Sequence, residues 1–146
     1  MKLTTFTDYS LRVLMYLALD PDRLATIQAI AEAYEISENH LMKVVHHLAK
    51  SGLVESLRGK GGGIRLAVPP EDIRLGRVIR EAEGDTPIVE CFSDHDTCRI
   101  TPNCKLAGVL ARSFAGLYAA LDEYTLADLI EKPKPLQNIL QIQVVR

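Results

Sequence analysis

Residues 36–68 read "ISENHLMKVVHHLAKSGLVESLRGKGGGIRLAV", and the way this stretch divides decides the fold. Leu41, Val44, Val45 and Leu48 recur at i, i+3, i+4 and i+7, a spacing that lines up side chains on one helix face. Ser37 stands before the run as an N-cap, its hydroxyl oxygen able to accept from a first-turn N–H. His40 occupies the place where a capping box prefers Glu or Gln. Ser51-Gly52 ends the helix, because glycine tolerates the left-handed conformation that follows a C-terminus. Beyond it, Leu53, Val54 and Leu57, then Ile64, Leu66 and Val68, flank "RGKGGG", which predicts a β-hairpin with a glycine turn.

Toward the N-terminus, Thr5 to Leu19 places Phe6, Val13, Leu14, Leu17 and Ala18 on one face and Asp8 and Arg12 off it, an amphipathic helix. Pro21 stops that helix, since it has no backbone N–H to continue the ladder. Thr26 then caps a short helix, "IQAIAEAY". Two short helices, a third with an exposed polar face, and a hairpin follow the order of a winged helix, a relative of the helix-turn-helix. The expected fold is mainly α with a small β-hairpin: a winged helix-turn-helix plus a long C-terminal dimerisation helix.

Toward the C-terminus, Ile73 to Glu83 reads as another helix closed by Gly84, and Asp85 to Asn103 as a loop. From Cys104 to Glu123, Leu106, Leu110, Phe114, Leu117 and Leu121 recur at helical spacing, and the Ala and Gly content permits close approach of a second helix. A long apolar helix outside so small a domain needs a cover, which a second copy of the chain would provide. After a Pro-Lys-Pro break, the tail has too few apolar residues to assign. The division is a DNA-binding winged helix over 1–84, a cysteine-bearing loop over 85–104, a dimerisation helix region over 105–130 and a tail over 131–146.

With 146 residues, 47% of them apolar and 25% charged, the chain can bury one core. "VLMYLAL" is far shorter than the ~20 apolar residues of a membrane span and lacks a cleavage site. A cytosolic protein with no membrane partner is expected. The net charge of −2 hides a pattern. Residues 37–70 carry five basic and two acidic groups, whereas 1–36 carry three and five, and 71–146 nine and twelve. The cationic stretch is therefore the third helix and hairpin, which suits a phosphate-bearing partner.

In a winged helix the start of the third helix enters the major groove and the wing rests on the backbone or minor groove. Ser37, Asn39, His40 and Lys43 are then placed to touch base edges or phosphates, and Arg58 and Lys60 to meet phosphates beside the wing turn. Singly, each could be a solvated polar residue; as a set on the one cationic segment they point to double-stranded DNA. The glycines do not form a nucleotide loop, which needs a Lys-Ser/Thr pair opening a helix.

All three cysteines lie within residues 91–104, "CFSDHDTCRITPNC". An odd count in a reducing compartment argues against a disulfide framework. The C-x6-C-x5-C spacing lacks the paired C-x2-C of zinc ribbons. A metal or cluster site, a redox thiol switch and inert thiols all remain open. Cys104 at the start of a helix, whose N–H groups favour thiolate, and the polar loop between the sulfurs weigh toward metal. His95 and the loop carboxylates are solvated or a fourth ligand. An electron carrier would explain a cluster but needs no wing, and a hydrolytic or transferase enzyme lacks an oriented third partner for its nucleophile.

"KLTTFTDYSLRVLMYLA", "ISENHLMKVVHHLAKSGLVES", "RGKGGGIRLA" and the three-cysteine loop together resemble the NsrR-type nitric-oxide-sensing iron–sulfur repressors, dimeric winged-helix regulators, from residue 2 to about residue 125. The resemblance implies a 4Fe–4S cluster, with 2Fe–2S as the alternative, held by Cys91, Cys98 and Cys104. It also implies Asp8, from the other subunit of a homodimer, as fourth ligand. On its own residues Asp8 reads rather as a first-turn helix carboxylate, with Thr5 three places before it, and it is the resemblance that makes it a ligand. A related regulator of iron–sulfur assembly carries a His three residues after its last cysteine; here that position is Ala107. The implied function is a DNA-binding repressor that lets go when nitric oxide nitrosylates the cluster. Other expectations are an iron- or redox-responsive regulator of the same family, or a cluster-free thiol-switch repressor.

Overall fold

The computed structural model describes residues 2–144, so the last two residues of the tail lie outside the described residues. Its elements run α1 (Thr5–Leu19), α2 (Ile27–Tyr34), α3 (Glu38–Lys50), β1 (Val54–Leu57), β2 (Gly63–Leu66), α4 (Leu75–Glu83), α5 (Lys105–Asp122), α6 (Leu126–Leu129) and α7 (Pro133–Ile139). Short 3-10 turns fall at Pro70–Asp72, Glu90–Phe92 and Thr101–Asn103. The arrangement is a winged helix-turn-helix followed by a long helix.

The anticipated stripes are the core. Val13 and Leu14 of α1, Ile30 of α2, and Leu41, Val44 and Leu48 of α3 are essentially free of solvent. Each such side chain contributes about 1.5–3 kcal/mol on burial. Two polar residues join them, Thr7 and Ser10, both 0% exposed. Burial is tolerable because each is bonded: the Ser10 hydroxyl donates to the Phe6 carbonyl at 2.8 Å, and the Thr7 hydroxyl donates to the Glu83 carboxylate.

The caps are local. Ser37 accepts from the His40 N–H at 3.4 Å, and Thr26 from that of Ala29 at 3.1 Å. At α1 the cap is Thr4 rather than Thr5, accepting from the Thr7 N–H at 3.2 Å. Between α2 and α3 the chain turns through Glu35 at φ 54°, a left-handed residue that is not glycine and gave no signal in the sequence. Gly52 adopts φ 77° after α3.

The hairpin pairs Val54 with Leu66 and Leu57 with Gly63. A Cβ on Gly62 would lie 2.2 Å from the Leu57 carbonyl oxygen, so the turn requires glycine there. Strand β2 is anchored to the segment before α2, where Ala25 and Ile64 exchange N–H···O bonds of 3.0 and 2.8 Å.

Past the wing the structure corrects the sequence reading. The helix expected over 73–83 starts only at Leu75, because Ile73 is extended, 1% exposed, and accepts from the Leu126 N–H at 2.9 Å. α5 crosses α4 at Gly76, where an added Cβ would meet Asp122 Oδ1 at 2.1 Å and the Tyr118 carbonyl at 3.1 Å. A glycine of α4 thus permits this approach within the chain, while a Cβ added at Gly116 of α5 would meet nothing within 4 Å. Leu126 of α6 is 0% exposed and packs in the main core with the winged-helix residues. The tail forms α7, whose Gln137 Nε2 donates to the Leu19 carbonyl at 2.8 Å.

Candidate DNA interface and cysteine loop

Ser37, Asn39, His40 and Lys43 occupy the exposed N-terminal half of α3, and Arg58 and Lys60 the exposed wing. Their charges are free. None of Lys43, Arg58 and Lys60 takes part in an ion pair among the described residues. Four arginines are neutralised among the described residues: Arg12 by Asp8, Arg77 by Glu81, Arg80 by Asp122, and Arg65 of the wing by its cross-strand neighbour Glu55. Cations left unpaired on a protruding helix and wing are a ready phosphate-binding surface. His40 is further constrained, its ring meeting Tyr9 of α1 edge to face at 5.5 Å and 86°. His47, two turns on along the same face of α3, meets Phe6 of α1 in the same manner at 5.3 Å. Tyr9 was not singled out in the sequence, because nothing local tells which aromatic of α1 faces α3.

The residue beside Tyr9 is Asp8. It sits in the first turn of α1, half-buried, and its carboxylate grips Arg12 twice, Oδ2 to Nη2 at 2.9 Å and Oδ1 to Nε at 3.2 Å. Arg12 in turn lies over the rings of Tyr9 and Tyr34, 5.7 and 5.8 Å from their centroids. The Tyr34 hydroxyl donates to the Arg12 carbonyl at 3.0 Å, and burial pushes its pKa up to about 12, so it remains a donor throughout ordinary pH.

Cys91, Cys98 and Cys104 are free thiols; Cys98 is exposed and the others are half-buried. Cys104 stands at the N-cap of α5 with no side-chain cap bond. Within the described residues of one chain, no three His, Cys, Asp or Glu side chains gather as a metal-binding group, so Asp8 and the three thiols are not brought together here. The donor set nevertheless suits a soft metal centre, being three uncommitted thiols on one loop. Between Cys98 and Cys104, the Thr101 hydroxyl is closed off from solvent without a hydrogen-bond partner, a donor that a sulfur could use. The loop is less irregular than its sequence implied, because Glu90 accepts from the Thr97 N–H at 3.0 Å and from the Thr97 hydroxyl. His95 is exposed, and its N–H donates to Ser93 Oγ at 3.3 Å.

A family model described as "Rrf2: Iron-dependent Transcriptional regulator" matches residues 3–132. The chain belongs to the Rrf2 family. Within it, 49% identity over 145 residues links the chain to the HTH-type transcriptional regulator NsrR of Bacillus subtilis (strain 168), covering 98% of this chain and 99% of the relative. NsrR of Shouchella clausii (strain KSM-K16) is 45% identical over 145 residues, covering 98% and 97%. The chain is thus an Rrf2 regulator of NsrR type, and not an enzyme. Among solved structures, T. potens IscR superposes with a TM-score of 0.75 at 28% identity, covering 94% of this chain and 91% of that one. Staphylococcus aureus CymR gives 0.70 at 29%, covering 88% and 97%. No helix among the described residues of this Rrf2 chain is long and apolar enough to cross a membrane.

Proposed function

We propose that this chain is a homodimeric repressor that holds double-stranded operator DNA and senses nitric oxide through an iron–sulfur cluster. The observation that carries the reading is the coexistence, on one small fold, of unneutralised cations on α3 and the wing with three free thiols on a single loop. Ser37, Asn39, His40 and Lys43 read the groove, and Arg58 and Lys60 hold the backbone. Cys91, Cys98 and Cys104 hold the cluster, 4Fe–4S with 2Fe–2S as the alternative, and Asp8 of the partner subunit completes it.

Such a cluster would be held by three soft thiolates and one hard carboxylate oxygen, the weaker and more readily exchanged donor, and would supply an iron open to a diatomic gas. The protein's part is to position the donors. To serve a partner's iron, Asp8 would turn a carboxylate lone pair to the metal from an oxygen that now contacts Arg12. That change sits one residue from Tyr9, which supports His40 on the recognition helix. α5, with none of its residues buried, is the surface along which the subunits join. Because a dimer reads half-sites about one helical turn, ~34 Å, apart, a small change in subunit placement spoils register.

Gel-shift affinity of anaerobic protein before and after nitric oxide tests the switch, with iron and sulfide assayed on the same sample. Affinity should fall on exposure; unchanged binding would reject nitric oxide as the signal. The exposure of Cys98 supports a second reading, a cluster-free thiol switch. Anaerobically purified protein that is colourless, with intact thiols and peroxide-sensitive DNA binding, would establish that reading instead.

A further inference from the structure

Glu90 immediately precedes Cys91, and Thr97 immediately precedes Cys98. One carboxylate oxygen of Glu90 accepts both the Thr97 backbone N–H, at 3.0 Å, and the Thr97 hydroxyl. The chain between the first two cysteines is therefore closed into a ring by the protein's own groups. Ser93 stitches the inside, donating from Oγ to the Glu90 carbonyl at 2.7 Å, and Asp96 accepts from the Cys98 N–H at 2.9 Å.

We propose that Glu90 and Thr97 are positioning residues for the cluster, their clasp fixing the span between Cys91 and Cys98 so that both thiolates are offered to one centre. The inference rests on the cluster reading above. Seven residue steps, fully extended, reach roughly 24 Å, whereas two ligands of one cluster must approach closely. Closing an open loop at the moment of binding costs chain entropy that a loop already closed does not lose again. A carboxylate acceptor suits the task, because hydrogen bonds to an ionised group are the stronger kind. This also accounts for the long first gap: six intervening residues are tolerable when their ends are tied.

The test uses the full chain in two states. In cluster-free protein, Thr97 amide exchange is followed by NMR for the wild type and for Glu90→Ala, Thr97→Val and Thr97→Ser. In anaerobically loaded protein, decay of the visible absorbance is followed under excess EDTA. The wild-type Thr97 amide should be protected, with exchange about tenfold faster in Glu90→Ala. Absorbance should decay several-fold faster in Glu90→Ala and Thr97→Val, and Thr97→Ser, which keeps both donors, should restore the wild-type rate. A wild-type Thr97 amide exchanging at the free-peptide rate would overturn the clasp. A normally loaded wild type whose decay matches that of Glu90→Ala would overturn the positioning role while leaving the cluster reading intact. A wild type that takes up neither iron nor sulfide would sink that reading, and this inference with it.

Discussion

Glu83 shows how much one carboxylate can organise. It ends α4, yet it accepts from the Thr4 N–H at 2.8 Å, the Thr4 hydroxyl at 3.1 Å and the buried Thr7 hydroxyl, tying the start of α1 to the last turn before the cysteine loop. Burial alone would push its pKa up, but the three donated bonds outweigh that and hold it below the ordinary 4.5. A folded-state pKa lowered in this way contributes stability above the unfolded value, and that stability is lost as pH falls through the folded value. Urea unfolding of the wild type should therefore weaken below about pH 4.5, and Glu83→Gln should flatten that part of the profile. An unchanged acid limb in the variant would remove Glu83 from the account. The wing offers a second residue-scale prediction. Lys60 is exposed and makes no ion pair among the described residues, so Lys60→Ala should lower operator affinity for every sequence alike. The slope of log K against log salt should shrink by about 0.9, one phosphate's share. A variant with undiminished slope would show that Lys60 touches no phosphate.

Among elements, the wing turn and the α6 segment fail differently when disturbed. Gly62→Ala would place a Cβ 2.2 Å from the Leu57 carbonyl, forcing the turn open at a site far from the core. Operator affinity should fall while the thermal midpoint moves little, as checked by anisotropy and calorimetry on one preparation. Leu126→Ala should do the reverse, since its 0% exposed side chain fills the core of the winged helix. The expected loss is about 2–5 kcal/mol of unfolding free energy. A loss below 1 kcal/mol would mean that α6 is a detachable appendage. The contrast also explains what could be read from the sequence. α1, α2, α3 and the hairpin were legible because their apolar periods, caps and glycine turn are local signals. The late start of α4 was not, because Ile73 is held extended by Leu126, and no local pattern announces a partner 53 residues on. For the same reason the three cysteines were visible at once, while the grip of Arg12 on Asp8 and the clasp beside Cys91 needed side-chain positions that spacing does not supply.

At the scale of the whole molecule, the unresolved burden is α5. Eighteen residues of helix bury none of their side chains within the chain, and Leu106, Val109 and Leu117 are 60%, 48% and 40% exposed. An apolar surface of this kind is costly to leave in water and marks an interaction site. In the proposed dimer it is covered by the other subunit, which would put the two recognition helices on one rigid frame. Because Leu106 and Val109 support nothing in the winged-helix core, replacing both with Glu should leave each subunit folded and separate the pair. Sedimentation should then report a monomer with unchanged helical circular dichroism. Affinity for a full palindromic operator should fall by roughly 10²–10⁴, the advantage that two linked reading heads hold over one, while affinity for an isolated half-site stays near its wild-type value. A double variant that still sediments as a dimer would show that the subunits meet elsewhere. In that event Asp8 of one subunit would have no stated route to the thiols of the other, and the shared-cluster reading would need a different fourth ligand.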